Sequence, residues 1–551
     1  MEEIKVKKPF DWKKWAILVT LSLALAIIII DGTVLNVSTA NIIRDLNTDL
    51  KSIQWAITLY SLIIAALTIT GGRLGDLFGR KRMFILGAVI FAIGSFITSV
   101  SPSIGILILG WSVIEGIGAA LMLPATSALL VSTFHGRERG IAFGVWGGIA
   151  GAAAAFGPIV GGYLTTNYTW NWAFRINIVV AAVLILGSFL IKESRDQTHK
   201  PQLDIIGVIL SSLGLASVVY GIIESSTYGW IKAKIPYVFA GNNYDLLGIS
   251  ITIYAVIFGL IILTAFLIWE NAQEKAGNQP LLSLNLFRNR QFTSGIITTA
   301  ALGLAQTGLV FAIPIFYQTV RGKDAFHTGL SLLPLSLSLL ISAPLAGFLS
   351  SKFKPRTLIQ IGIVLNFLGT IALYLALSVN ADIKELALGQ ILFGAGFGMI
   401  SAQITNLTLS AVTPKEIGEA SGVNSMIRQL GSSLGSAIIG AVFLSTFISS
   451  FIVGVNQSTV LPDLLKSNLI IKVNEDSSSF QYGTAKNNQI PANIAADIKA
   501  SADQGTVDGA KQSLVYVGGF VILTLLISFS LPDIKTAGKK QPGEPAVKGT
   551  H

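Results

Sequence analysis

Two carboxylates stand where a carboxylate is costly. Asp31 interrupts the apolar run from Trp15 to Val37, and Glu115 interrupts a second run from Ile104 to Thr133. A charge at mid-membrane costs at least about 2.5–3.5 kcal/mol even on the mildest scale, so such residues usually face an aqueous path. Desolvation and a neighbouring carboxylate both favour the protonated form, and a pair so placed can load and release a proton. Other chemistry is thinly supplied. The 551 residues include no cysteine, hence no disulfide, thiol nucleophile or thiolate metal site. Four histidines, three of them in loops or at the terminus, do not suggest a metal centre. There is no glycine-rich nucleotide loop and no catalytic set of His, Cys or metal ligands, so neither an enzyme nor a cofactor is expected.

The elements that carry these carboxylates follow from composition. The chain is 52% hydrophobic and 12% charged, with a mean hydropathy of +0.67. A soluble protein carries about twice that charged share. Such a chain must meet lipid over much of its surface. Spans of about 20 apolar residues are predicted near 15–37, 53–71, 82–100, 104–133, 139–164, 172–191, 204–223, 247–269, 292–318, 327–350, 356–378, 384–412, 428–453 and 513–531. The first is too long for a secretory h-region and is read as a retained helix.

The net charge of +10 does not point to nucleic acid, because the basic residues sit in short clusters between apolar runs. Clusters at Lys13–Lys14, Arg80–Arg82, Arg137–Arg139, Lys192–Arg195, Arg288–Arg290, Lys352–Arg356 and Lys535–Lys540 fall on one side only if an even number of helices separates them. Fourteen helices satisfy this, with both termini cytoplasmic. The polar segment 454–512 then lies outside, as a hairpin, a helical cap or a partly disordered loop. The tail 533–551 is expected to be disordered.

A repeat links helices two and ten. Gly72-Arg73-Leu74-Gly75-Asp76-Leu77-Phe78-Gly79-Arg80-Lys81-Arg82 follows the first, and Gly347-Phe348-Leu349-Ser350-Ser351-Lys352-Phe353-Lys354-Pro355-Arg356 follows the second. Glycines let the chain turn tightly between helices. Asp76 is suited to face a helix N-terminus, where the macrodipole favours an anion.

The run from Gly72 to Arg82 resembles the helix 2–3 signature of the major facilitator superfamily. Gly157-Pro158-Ile159-Val160-Gly161-Gly162 resembles the antiporter signature of its drug/proton exchangers, and Asp31 to Val37 resembles the acidic signature of the fourteen-helix drug/proton antiporter family. Trp55–Tyr60, Trp170–Asn177, Leu286–Arg288 and Ile427–Gly431 match as well. The resemblance covers essentially the whole chain. It implies an all-α, polytopic membrane protein of two six-helix bundles, 1–200 and 276–532, with an inserted transmembrane pair at 201–275 and alternating access about a central cavity. One departure stands out. The family places an arginine and a glutamine in helix four where this chain has Ser112 and Glu115.

At 1.5 Å per residue, Asp31 lies roughly 10 Å and Glu115 roughly 16 Å from the outer ends of their predicted helices, within about one turn of the same depth. The resemblance implies that both helices line the cavity, so the two are expected to form the proton-coupling site, with Ser112 withholding an opposing cation. The competing structural role for Glu115 is a pair with Arg175. Gly72, Asp76, Gly79 and Arg80 are expected to gate the cytoplasmic side. Gly157, Pro158, Gly161 and Gly162 are expected to allow close helix approach. Asn36, Gln54, Tyr60, Arg175, Gln306, Tyr317, Gln403 and Asn406 are substrate-cavity candidates, each also able to serve as an interhelical hydrogen bond.

The expected function is proton-coupled antiport, exporting hydrophobic or amphipathic compounds, cationic ones favoured, across the cytoplasmic membrane. A transporter of a lipid or native metabolite is the near alternative, and a non-transporting sensor or scaffold the distant one. Expected partners are the substrate, protons and the bilayer, with no nucleic acid and a monomeric state.

Overall fold

The computed structural model describes residues 11–48, 50–194, 203–239, 242–244, 247–278, 280–350, 352–413, 416–475 and 491–533. The side chains of some helical residues, Asn36, Gln54 and Pro158 among them, lie outside the described set.

The first half comprises α1 (Trp12–Asp45), α2 (Leu50–Phe78) and α3 (Arg80–Ser99), then a composite helix of α4 (Ile104–Leu107), a π-helical segment (Ile108–Glu115) and α5 (Gly116–Thr133). It ends with α6 (Gly136–Asn167) and α7 (Asn171–Ser188). Next come α8 (Ile205–Tyr228), a hairpin of β1 (Tyr237–Phe239) and β2 (Asn242–Tyr244), and α9 (Ile251–Lys275). The hairpin is antiparallel, with Tyr237 opposite Tyr244. A 3-10 turn (Leu284–Arg288) leads into α10 (Arg290–Thr319), α11 (Ala325–Ser331), α12 (Leu333–Leu349), α13 (Pro355–Ala376), α14 (Ile383–Leu409), α15 (Ile417–Gln457), α16 (Asp463–Glu475) and α17 (Ala492–Ser528).

Every predicted span falls on helix. Among the described residues eleven helices are long and apolar enough to cross a membrane, and Leu333–Leu349 is a shorter apolar helix. Large apolar side chains such as Val179, Leu186, Leu375 and Leu388 point outward, more than 60% exposed. A helix satisfies its own backbone, so this surface suits lipid.

Several boundaries differ from expectation. α1 continues to Asp45 and α15 begins at Ile417, where 37 and 428 were predicted. The segment 454–512 is largely helical among its described residues, because α15 runs to Gln457, α16 follows and α17 begins at Ala492. The early turns of α17 are alanine-rich, which suits a helix. They also pack. Ile498 and Val507 are buried in the same core as Phe447 and Phe451 of α15, and Ser450 Oγ donates to Asp508 Oδ2 at 2.5 Å. Residues 476–490 and the predicted tail from 534 onward lie outside the described set.

Two large apolar cores form. One gathers α1 to α7 with the segment 281–296 and the start of α15; the other gathers α10, α12 to α14, the rest of α15, α16 and α17. The repeat joins the halves twice. Gly72 of α2 packs against the Gly418 carbonyl of α15. A β-carbon on Gly347 of α12 would stand 2.5 Å from the Gly140 carbonyl oxygen of α6. Each copy thus uses its first glycine to bring a helix against the opening turn of a helix from the other half.

Candidate functional site

The two carboxylates meet. Asp31 is 2% exposed and Glu115 fully buried, and their side chains lie against one another. α1 delivers Asp31 and the π segment delivers Glu115 as its last residue. Asp31 is well held. Trp111 Nε1 donates to its Oδ2 at 2.7 Å, and Asn177 Nδ2 of α7 donates to its Oδ1 at 2.7 Å. Glu115 is less well held: among the described residues neither of its oxygens meets a donor in hydrogen-bond geometry, although the Asn177 amide stands beside it. Asn177 and Tyr60 border the pair, and the Tyr60 ring stacks on Trp111 with centroids 4.7 Å apart. Among the described residues no cation pairs with either carboxyl. In such an interior two adjacent carboxyls share a proton more readily than they bear two charges.

The π segment explains part of this placement. π-bulges alter which side chains share a helix face and recur at functional sites. Here Trp111 and Glu115 both reach Asp31. Ser112 is fully buried, and its hydroxyl donates to the Ala56 carbonyl of α2 at 2.8 Å.

A second polar centre lies at the α2–α3 turn. Asp76 Oδ1 accepts from Arg80 Nε at 3.0 Å and Nη2 at 2.7 Å. The same carboxylate accepts the Gly418 N–H at 3.2 Å and the Glu419 N–H at 2.9 Å. It thus supplies acceptors to the unsatisfied first turn of α15. Gly79 has φ 111°, a conformation that favours glycine. A β-carbon there would also stand 2.6 Å from the Glu193 carboxyl carbon. Glu193 accepts the N–H groups of Lys81 and Arg82 and so closes the start of α3.

The small-residue run of α6 packs as spaced contacts. Gly157 lies against Thr33 and Gly161 against Val34 of α1, while Gly162 faces Phe326 of α11. The remaining candidates scatter. Arg175 is exposed, its guanidinium 5.1 Å from the Trp172 ring centroid, and does not bond Glu115. Tyr317 is buried and accepts from Gln390 Nε2 at 3.3 Å, an interhelical bond. Gln403 is buried with both amide atoms unpartnered, Asn406 is buried with its Oδ1 unpartnered, and Gln306 is half-buried. The side chains of Asn36 and Gln54 lie outside the described residues.

Several polar residues were not read from sequence. Trp111 and Asn177 hold Asp31, and an amide inside the apolar run of helix six was a usable signal for Asn177. Asp31 and Glu115 are joined by two further deeply buried acids, Glu270 and Glu419. Glu270 Oε2 accepts the Leu282 N–H at 3.1 Å, and Glu419 accepts the Ser283 N–H. Adjacent amides of the linker before α10 are thereby tied to α9 and α15. Because these acids sit near span ends, hydropathy alone gave them no weight.

Known proteins share this organisation. Residues 21–436 match the model of the Major Facilitator Superfamily. The puromycin resistance protein of Streptomyces alboniger is 30% identical, over 77% of this chain and 80% of that protein. The tetracenomycin C resistance and export protein of Streptomyces glaucescens is 26% identical, over 76% and 74%. The solved proton:xylose symporter XylE, at 14% identity and a TM-score of 0.55, covers 96% of this chain and 97% of its own, and shares the fold. The chain is a multi-pass membrane transporter and belongs to the major facilitator superfamily, among relatives that include drug-resistance and export proteins.

Proposed function

We propose that this transporter exports hydrophobic or amphipathic compounds across the cytoplasmic membrane in exchange for protons, by alternating access between two six-helix bundles with α8 and α9 as the inserted pair. Fourteen crossings with cytoplasmic termini suit the charge pattern. The observation that carries the coupling reading is the Asp31–Glu115 pair: two buried carboxyls in contact, with no cation paired to either among the described residues and with neither Glu115 oxygen in hydrogen-bond geometry with a donor. One proton on the pair relieves the repulsion, and its release recreates a negative site that a substrate conformer can exploit. The resistance and export names of the relatives support a drug-like substrate. Asp76, Gly72, Gly79 and Arg80 act as the cytoplasmic latch in this reading, because their contacts close α2 onto the start of α15.

Arg428 favours a second reading of substrate charge. It stands eleven residues after Ile417, about 16 Å along α15. Its guanidinium lies 6.0 Å from the Trp146 ring centroid of α6, and among the described residues no charged group acts on it. Trp146 Nε1 is itself buried without a partner. This cation between the halves suits a substrate bearing an acidic or phenolic group rather than a fixed positive charge. Transport assays in proteoliposomes under an imposed pH gradient test both readings. Gradient-driven movement of an amphipathic dye supports exchange, and parallel acidic and quaternary-ammonium dyes report the charge preference. Equal movement with and without the gradient contradicts coupling.

A further inference from the structure

Arg139 lies in the first turn of α6 and is 7% exposed. Among the described residues its buried Nε and Nη2 groups donate to no partner, and no charged group acts on it. Its guanidinium rests 5.9 Å from the Phe143 ring centroid. A buried guanidinium without an acceptor is unfavourable, and the packing leaves space beside this one. Arg139 borders a cavity of about 190 Å³ together with Arg80, Ser132, His135 and Ser194, and among the described residues no carboxylate lines it. Arg80 is already engaged with Asp76 and Ser194. The opposite wall is Leu409, the last residue of α14, Val412 just after it, and Ile417, the first residue of α15. The cavity therefore has one cationic wall from the first half and one apolar wall from the second.

The repeat gives a reason for the missing acceptor. Gly347 of the second copy packs on Gly140, next to Arg139, as Gly72 of the first packs on Gly418. In step with these glycines, the first copy has Asp76 and the second has Ser351. The sequence supplies no acid in the second copy at the position of Asp76.

We propose that this cavity binds a phosphate-class anion, which Arg139 grips through its free N–H fork and which holds the start of α6 against the start of α15. The planar guanidinium suits two parallel bonds to phosphate oxygens, and the apolar wall accommodates an organic substituent on the phosphate. A ligand that binds only where both walls meet stabilises the latched arrangement. The phosphate can belong to a membrane phospholipid or to a soluble species, and the two sources are separable.

The test uses the full chain purified in a neutral, phosphate-free detergent. Unfolding midpoints are measured against inorganic phosphate, with chloride keeping ionic strength constant, and separately in nanodiscs of phosphatidylcholine with or without phosphatidylglycerol. Native mass spectrometry counts bound phosphate or lipid. A saturable rise with inorganic phosphate that is weakened about tenfold or more in Arg139→Gln assigns a soluble ligand. A rise and a retained lipid only with phosphatidylglycerol, again lost in Arg139→Gln, assigns a headgroup. Arg139→Lys keeps the charge without the fork and carries the same test if the glutamine variant does not fold. The proposal is overturned if neither probe raises the wild-type midpoint, or if the variants respond as the wild type does.

Discussion

Trp111 and Asp31 are joined by an indole N–H to carboxylate bond of 2.7 Å, across 80 positions of sequence. The same indole stacks on Tyr60, so one side chain ties α1, α2 and the π segment together around the carboxyl pair. Trp111→Phe keeps an aromatic surface for the stack and removes the donor. A carboxylate that loses a hydrogen bond is harder to keep charged. The pH profile of transport should therefore move toward alkaline pH while expression is retained. An unmoved profile, measured in vesicles, would separate Trp111 from proton handling.

Asp76→Asn leaves an acceptor oxygen for α15 but no negative charge for the buried Arg80. Removing one partner of a buried pair is strongly unfavourable. Because that pair belongs to the latched arrangement, transport should fall by about tenfold or more with expression near normal. Full transport activity at normal expression would remove the latch role from Asp76.

The chain has no cysteine, so single cysteines report sidedness without background. Ser478→Cys should label with an impermeant maleimide from outside intact cells, and Lys540→Cys only after permeabilisation. Labelling of both from one side would refute fourteen crossings.

Asp382 offers a pH test away from the membrane spans. The Lys323 ammonium, 2.6 Å from Oδ1, holds its carboxyl below the usual carboxylate range, aided by the Ile383 N–H. A depressed folded value means stability that is present above the unfolded value of about 3.9 and lost as pH falls through the folded one. The side chain is 46% exposed, so the contribution is small. Asp382→Asn should lower the unfolding midpoint by about 1–2 °C near neutral pH, and the difference should close as the pH falls below about 4. A difference constant with pH would show that the charge is not what matters.

The spans were legible because twenty-residue apolar runs leave little choice of structure. Asp76 was legible as a partner for a helix start because an acid between spaced glycines suits one. The helix it meets was not named, since the start of α15 at Ile417 is polar enough to read as loop. The meeting of Asp31 with Glu115 was legible from depth, but the means was not. A π segment is a choice of hydrogen-bond register that side-chain packing decides, and hydropathy does not record it. Ser112 was read as a missing cation; its bond to Ala56 shows that the position also carries a packing role. Arg139 and Arg428 looked like a loop charge and a motif match, because whether a cation has a partner is a fact of three dimensions.

Exchange through the carboxyl pair is tested most directly by comparing gradient-driven efflux with substrate counterflow in the same proteoliposomes, for wild type, Asp31→Asn and Glu115→Gln, across pH. Counterflow needs substrate binding and alternation, while gradient-driven efflux also needs the proton. Asp31→Asn should lose gradient-driven efflux and keep counterflow; Glu115→Gln should be milder and should displace the pH profile. If both variants retain wild-type efflux with an unchanged pH profile, the pair does not carry the proton.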